Sequence, residues 1–148
     1  MEPLLPSSSA APERQTLRIL MASSEAHPLI KTGGLADVAA SLPAALRQLG
    51  HDARLILPAY PRAARQLREP RTLPDYFSRE GNPYTDLSGR DWGDNAERFL
   101  LFCRVIALIA QGLPMIGWRP DVLHANDWQT GLAPALMSDR PTQTASIF

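Results

Sequence analysis

Leu17-Arg18-Ile19-Leu20-Met21-Ala22, then Lys31-Thr32-Gly33-Gly34-Leu35, then residues 36–49 form the stretch that decides the fold. The first run is short, apolar and without strict alternation, as expected for a parallel strand buried on both faces. Residues 36–49 carry Val38, Leu42, Ala45, Leu46 and Leu49 at helical spacing. Pro43 falls inside that helix and is expected to bend it or to mark its first regular turn. Gly50 stands where a C′ stop belongs. Ala53-Arg54-Leu55-Ile56-Leu57 reads as a second strand, closed by Pro58. Strand, loop, helix and strand in this order fit a right-handed crossover to a parallel neighbour. The predicted class is therefore α/β, a doubly wound parallel sheet of Rossmann-like type.

In such a sheet the loop after the first strand lies at the carboxyl edge, where ligands bind. Adjacent glycines let backbone N–H groups approach an anion, and the helix N-terminus adds a favourable dipole. Lys31 adds a full charge. Together Lys31, Thr32, Gly33 and Gly34 point to a phosphorylated or sugar-nucleotide ligand. The pattern is weak taken alone, since the chain holds neither a P-loop nor a G-x-G-x-x-G.

Working outward, residues 61–90 are polar and interrupted by proline, a long strandless span for one domain. Residues 94–110 read as a helix, capped by Asp94 or Asn95, with an apolar stripe of Phe99, Phe102, Cys103, Ile106 and Ile109/Ala110. Residues 120–125 form a third short strand, and 127–137 a short helix weakened by Gly131 and Pro134. Ala145-Ser146-Ile147-Phe148 reads as the opening of a fourth strand, cut off in mid-element, so a truncated sheet with an exposed, aggregation-prone edge is expected.

A chain of 148 residues suits one domain with a real core. Fifteen basic and fifteen acidic side chains cancel, which argues against nucleic acid as a partner. The longest apolar run, 105–110, is far below the ~20 residues of a membrane span. Residues 1–15 lack the basic start and apolar core of a signal peptide and read as a disordered leader. The single cysteine, Cys103, sits among Leu100, Leu101, Phe102 and Val105 and reads as a buried thiol in a reducing, cytoplasmic setting.

Two constellations carry candidate chemistry. Glu25, His27 and Asp37 surround Lys31, and a lysine with carboxylates around one loop can bind the phosphates and hydroxyls of an activated sugar. Asp37 also suits the simpler role of helix-dipole partner, and Glu25 and His27 that of surface residues. The second constellation is His124-Ala125-Asn126-Asp127-Trp128-Gln129, just after a strand and so at the same sheet edge. Its donors, acceptors and apolar ring suit a sugar. The alternative is a helix cap at Asp127 with Trp128 in the core. No His/Cys cluster has metal-ligand spacing, so neither a metal nor a cofactor is expected.

Residues 20–38, Leu42-Pro43-Ala44-Ala45-Leu46, Leu57-Pro58-Ala59-Tyr60-Pro61, Gly81-Asn82-Pro83-Tyr84 with Asp94-Asn95-Ala96-Glu97-Arg98-Phe99, and residues 119–134 together resemble the bacterial glycogen synthase and plant starch synthase family, in the same order. The resemblance covers about residues 16–148. It implies the partial N-terminal domain of a two-domain GT-B glycosyltransferase. Such enzymes transfer glucose from ADP-glucose to the non-reducing end of an α-1,4-glucan, glycogen or starch, with retention and without a metal. By resemblance, Lys31 contacts the sugar nucleotide's phosphates, with Gly33 and Gly34 letting the backbone approach. Glu25, Asp37 and Tyr84 lie along the acceptor and cleft side, and Asp127 and Trp128 line the sugar pocket near His124. Asn126 stands where many members have a second histidine.

Two departures from the family shape the expectation. The segment near 61–83 is shorter than in the family, which accounts for the strandless span. The second domain, which holds most of the nucleotide, is absent. The 148 residues are therefore expected to be inactive alone, because a departing diphosphate needs stabilising groups from both sides of the cleft. The rival readings are a non-catalytic sugar-phosphate-binding module, a non-functional product of a disrupted gene, and a relative that uses UDP-glucose.

Overall fold

The computed structural model describes residues 15–67 and 82–148. The expected leader, apart from Gln15, and most of the shortened 61–83 segment lie outside the described residues. In chain order the elements are β1 (Arg18–Ala22), α1 (Leu35–Gln48), β2 (Asp52–Ile56), α2 (Pro61–Ala64), α3 (Asn95–Ala110), β3 (Val122–Ala125), α4 (Ala133–Met137) and β4 (Ala145–Ile147), with 3-10 turns at Pro114–Ile116 and Trp128–Thr130. The four strands form one parallel sheet of order β2-β1-β3-β4.

Helices cover both faces, so the sheet is doubly wound. Alternation along β1 divides the core. Ile19 and Met21 join Ala53, Leu42 and Leu46 beneath α1. Leu20 and Ala22 join Leu123, Ala125 and the α3 stripe of Phe99, Phe102, Cys103, Ile106 and Ala110 on the other face. The predicted stripe of α3 is buried throughout. The Cys103 thiol donates to Gln129 O at 3.2 Å, and burial pushes its pKa up.

Three local expectations need correction. The buried face of α1 is Ala36, Ala39 and Pro43, with Leu42 and Leu46 at its margin, whereas Val38 and Leu49 are 51% and 62% exposed and Ala45 is exposed too. The small residues let the helix close on the sheet. The His27 N–H bond to Ala36 O, at 3.0 Å, fixes the helix's rotation at its first turn. Pro43 lies in mid-helix, well past the first turn, and α1 runs through it; only the rung to Ala39 O lacks an N–H. The helix expected over 127–137 is broken at Gly131 and Leu132 into a 3-10 turn and α4, which takes Pro134 in its first turn where a missing N–H costs nothing. Gly50 does end α1, with φ +94° and its N–H on Arg47 O. Asp94 holds the N-cap position of α3 without a side-chain capping bond.

Because β1 leads one way to β2 and the chain later returns on β1's other side as β3, the winding reverses between β1 and β3. The loops after these two strands therefore face each other at the carboxyl edge, where the crevice of an open α/β sheet lies. At the far end of the order, β4 pairs with β3 and, among the described residues, with no other strand, and all three of its residues are exposed. No helix among the described residues is long and apolar enough to cross a membrane.

Candidate functional site

The β1 loop begins with Ser23, Ser24 and Glu25, all buried. It doubles back through an Ala26–Ile30 bridge, which carries Lys31 to Gly34 over the top of Glu25. There the Glu25 carboxylate accepts hydrogen bonds from the Thr32 backbone N–H, from Thr32 Oγ1 at 2.9 and 3.0 Å, and from Gly33 N at 3.4 Å. The Gly33 N–H, expected to face a ligand, is thus turned inward together with that of Thr32. Glu25 is no surface residue, at 3% exposure.

Lys31 points the other way. Its Nζ lies 2.7 Å from both carboxylate oxygens of Asp37, in the first turn of α1, and both side chains are about half exposed. The hydrogen bond from Lys31 holds the Asp37 carboxyl below its ordinary pKa. Gly33 and Gly34 are exposed, neither has a positive φ, and a Cβ on either would meet no atom within 4 Å. Backbone geometry and internal packing therefore leave room for side chains at both positions.

The β3 loop stands beside it. Asn126 ties the two together: its backbone N–H and its Nδ2 each donate to Ala22 O at 3.0 Å, and Nδ2 also reaches His124 O at 3.1 Å. An amide at this position thus serves a structural bond across the crevice. Asp127 follows with φ 65° and ψ 169°, a backbone region that belongs almost wholly to glycine. Its Oδ1 accepts from Trp128 N at 2.7 Å, so the predicted capping role is real for the 3-10 turn. Trp128 is 56% exposed rather than in the core, and meets Phe99 edge-on with centroids 5.2 Å apart.

Tyr84 closes the group from a third segment. Its hydroxyl pairs with Ser24 Oγ at 2.8 Å and donates to Glu25 Oε1 at 3.4 Å, and its ring lies 6.1 Å from that of Phe99. Burial, with the charges of Glu25 and Asp127 adding to it, pushes its pKa up to about 12. Asn95, whose Nδ2 donates to Tyr84 O, and the buried Arg98, which donates to Pro83 O and Asn95 Oδ1, lock the Tyr84 segment to α3. His124 does not join the Phe99 and Trp128 side of the group. It is still inside β3, paired with Met21 and Ile147, and strand alternation puts it on the α1 face, away from Phe99 and Trp128. Among the described residues no group of three His, Cys, Asp or Glu side chains could hold a metal.

The chain is similar to known proteins over most of its length. The starch synthase catalytic domain family matches residues 18–75 and 72–148. The chain belongs to that family. Glycogen synthase 1 of Methylococcus capsulatus is 45% identical over 160 residues, covering 89% of this chain and 32% of the relative. Glycogen synthase of Cellvibrio japonicus is 46% identical over 161 residues, covering 88% and 34%. The catalytic domain of starch synthase IV from Arabidopsis thaliana, solved bound to ADP and acarbose, superposes with a TM-score of 0.63 at 23% identity, over 84% of this chain and 31% of that one. The α/β fold read from the sequence, part of a GT-B catalytic domain, is thus shared with a starch synthase. The chain spans about a third of the length of the relatives it matches. The family matches it in two pieces that meet at 72–75, and the Methylococcus alignment is longer than this whole chain.

Proposed function

We propose that this chain is the ligand-facing half-site of a glycogen or starch synthase, a GT-B hexosyltransferase that moves glucose from ADP-glucose to the non-reducing end of an α-1,4-glucan. The observation that carries the reading is the glycine pair. Gly33 and Gly34 lie at the carboxyl edge of the sheet, with ordinary φ and open space where a Cβ would stand. Among the described residues nothing packs against either position, so the space above the pair is open to a ligand that approaches from outside. Lys31 stands next to that opening and supplies charge for the diphosphate, in competition with Asp37. Asp127 and the exposed face of Trp128 line the sugar pocket from the β3 loop. Asp37 and Tyr84 lie on the acceptor side, with Glu25 beneath them. His124 lies on the α1 face of the sheet, opposite Phe99 and Trp128, so any contact it makes with the sugar comes from that side.

The 148 residues by themselves are inactive in this reading, because the leaving diphosphate meets charge from one wall only. The segment near 61–83 is a shortened form of a longer family segment, a reading supported by the two-piece family match. The lone buried thiol fits a reducing compartment, the cytoplasm.

The test is thermal unfolding of the chain with and without millimolar ADP-glucose. Ligand at about ten times its Kd adds about 1.4 kcal/mol, a rise of about 4 °C in Tm for a domain of this size. Lys31→Ala removes only a surface ion pair, so it leaves the unliganded Tm within a degree or two and abolishes the shift. UDP-glucose as the better stabiliser would reassign the donor. No shift with either sugar nucleotide overturns the half-site, and glucose transfer by the chain alone overturns its inactivity.

A further inference from the structure

The Glu25 carboxylate is buried, yet among the described residues no lysine or arginine nitrogen lies within 4 Å of it. The nearest cation in sequence, Lys31, is committed to Asp37. What holds Glu25 is a set of neutral donors: the N–H groups of Thr32 and Gly33, the Thr32 hydroxyl and the Tyr84 hydroxyl. Successive backbone N–H groups with a hydroxyl beside them are the equipment with which loops cradle a bound anion. Here the anion comes from the chain itself, seven residues upstream.

We propose that Glu25 is a built-in anion, a positioning residue whose carboxylate fills the Thr32–Gly33 cradle and so sets the loop. The consequence is geometric. With Thr32 and Gly33 tied inward, Lys31 on one side and Gly34 on the other are presented outward at the mouth of α1. The same carboxylate takes the Tyr84 hydroxyl, so the Tyr84 segment and the Lys31 loop are set by one group. A ligand phosphate then meets Lys31 and the exposed side of the loop, while the inner cradle is closed to it. The inference deepens the half-site reading, because it assumes that this loop is the element that faces the ligand.

Amide exchange in the wild-type chain tests the cradle without any variant. Thr32 and Gly33 are exposed residues in a loop, so their amides should exchange freely unless a buried acceptor holds them. Slowing of both by roughly 100-fold against an unprotected amide is expected; free exchange of both overturns the proposal. The second test is refilling. Glu25→Ala opens the cradle, and formate or acetate should raise its Tm saturably, beyond chloride at equal ionic strength. Wild type and Glu25→Gln should not respond, and Glu25→Gln should recover much of the stability lost in Glu25→Ala, since its amide oxygen still accepts from the two N–H groups. A formate response equal in all three proteins, or none in a folded Glu25→Ala, overturns it. Should Glu25→Ala not fold, the exchange result decides. A chain that ignores ADP-glucose but protects both amides sinks the proposed function and leaves the role of Glu25 standing.

Discussion

Asp127 offers a test in which backbone and side chain pull in opposite directions. Among the described residues it is the one non-glycine with positive φ, at φ 65° and ψ 169°. Holding an L-residue in that region costs about 1–3 kcal/mol. Its carboxylate offsets part of this by capping Trp128 N at 2.7 Å, a bond of a kind worth about 1 kcal/mol. Asp127→Ala loses the cap and keeps the strain, so it should destabilise by about 1 kcal/mol. Asp127→Gly loses the same cap but relieves the strain, against an entropic penalty of about 0.5–1 kcal/mol for glycine. The glycine variant should therefore be more stable than the alanine variant by about 0.5–2 kcal/mol. Urea unfolding reads the difference directly. With a slope near 1.5 kcal/mol/M, the glycine midpoint should lie roughly 0.3–1.3 M above the alanine midpoint. Equal slopes with the alanine midpoint at or above the glycine midpoint would show that the backbone at Asp127 is unstrained. A pair of glycine and alanine variants that both equal wild type would remove the cap as well.

Two further outcomes follow from the geometry. Asp121 accepts from Arg18 Nη2 at 2.6 Å and from Arg18 N at 2.8 Å, and the guanidinium bond, as the largest cause, holds its pKa below the ordinary 3.8. A folded pKa below the unfolded one gives stability that is present above about pH 4 and lost as pH falls through the lower folded value. Asp121→Asn should thus be less stable than wild type at neutral pH and show a smaller loss on acidification; an unchanged acid profile by thermal unfolding would count against the pair. On α1, Ala39→Leu should cost about 1–3 kcal/mol by overpacking the sheet contact, while Val38→Glu on the opposite face should stay within about 0.5 kcal/mol. The reverse order in urea unfolding would mean that the helix is turned the other way.

Much of this architecture is legible along the chain, because local rules govern it. Leu17 to Ala22 reads as a buried strand, and its observed bounds, Arg18–Ala22, differ by one residue. The stripe on α3 and the buried Cys103 follow from a period that packing then obeys. The rotation of α1 is different in kind. Val38, Ala45 and Leu49 also form an apolar row, and the choice between the two rows is made by packing of the small-residue face on the sheet together with the bond from His27 N–H to Ala36 O.

At the site the same division holds. The motifs around Lys31 and Asp127 identify the two loops and, with the other ordered blocks, the family, since residue type and order suffice for that. Which strands stand side by side is set by the sheet order β2-β1-β3-β4, and that order, with the Asn126 bonds to Ala22 O, brings the two loops together. The inward turn of Thr32 and Gly33 onto Glu25, the meeting of Tyr84 with Ser24, and the exposure of Trp128 are all tertiary facts. A hydrogen bond between residues far apart in sequence has no local signature, because it exists only once the packed sheet has brought donor and acceptor within 3 Å or so of each other. The sequence alone determines which residues this protein can use; the packed sheet decides which of them face the crevice and which hold the others in place.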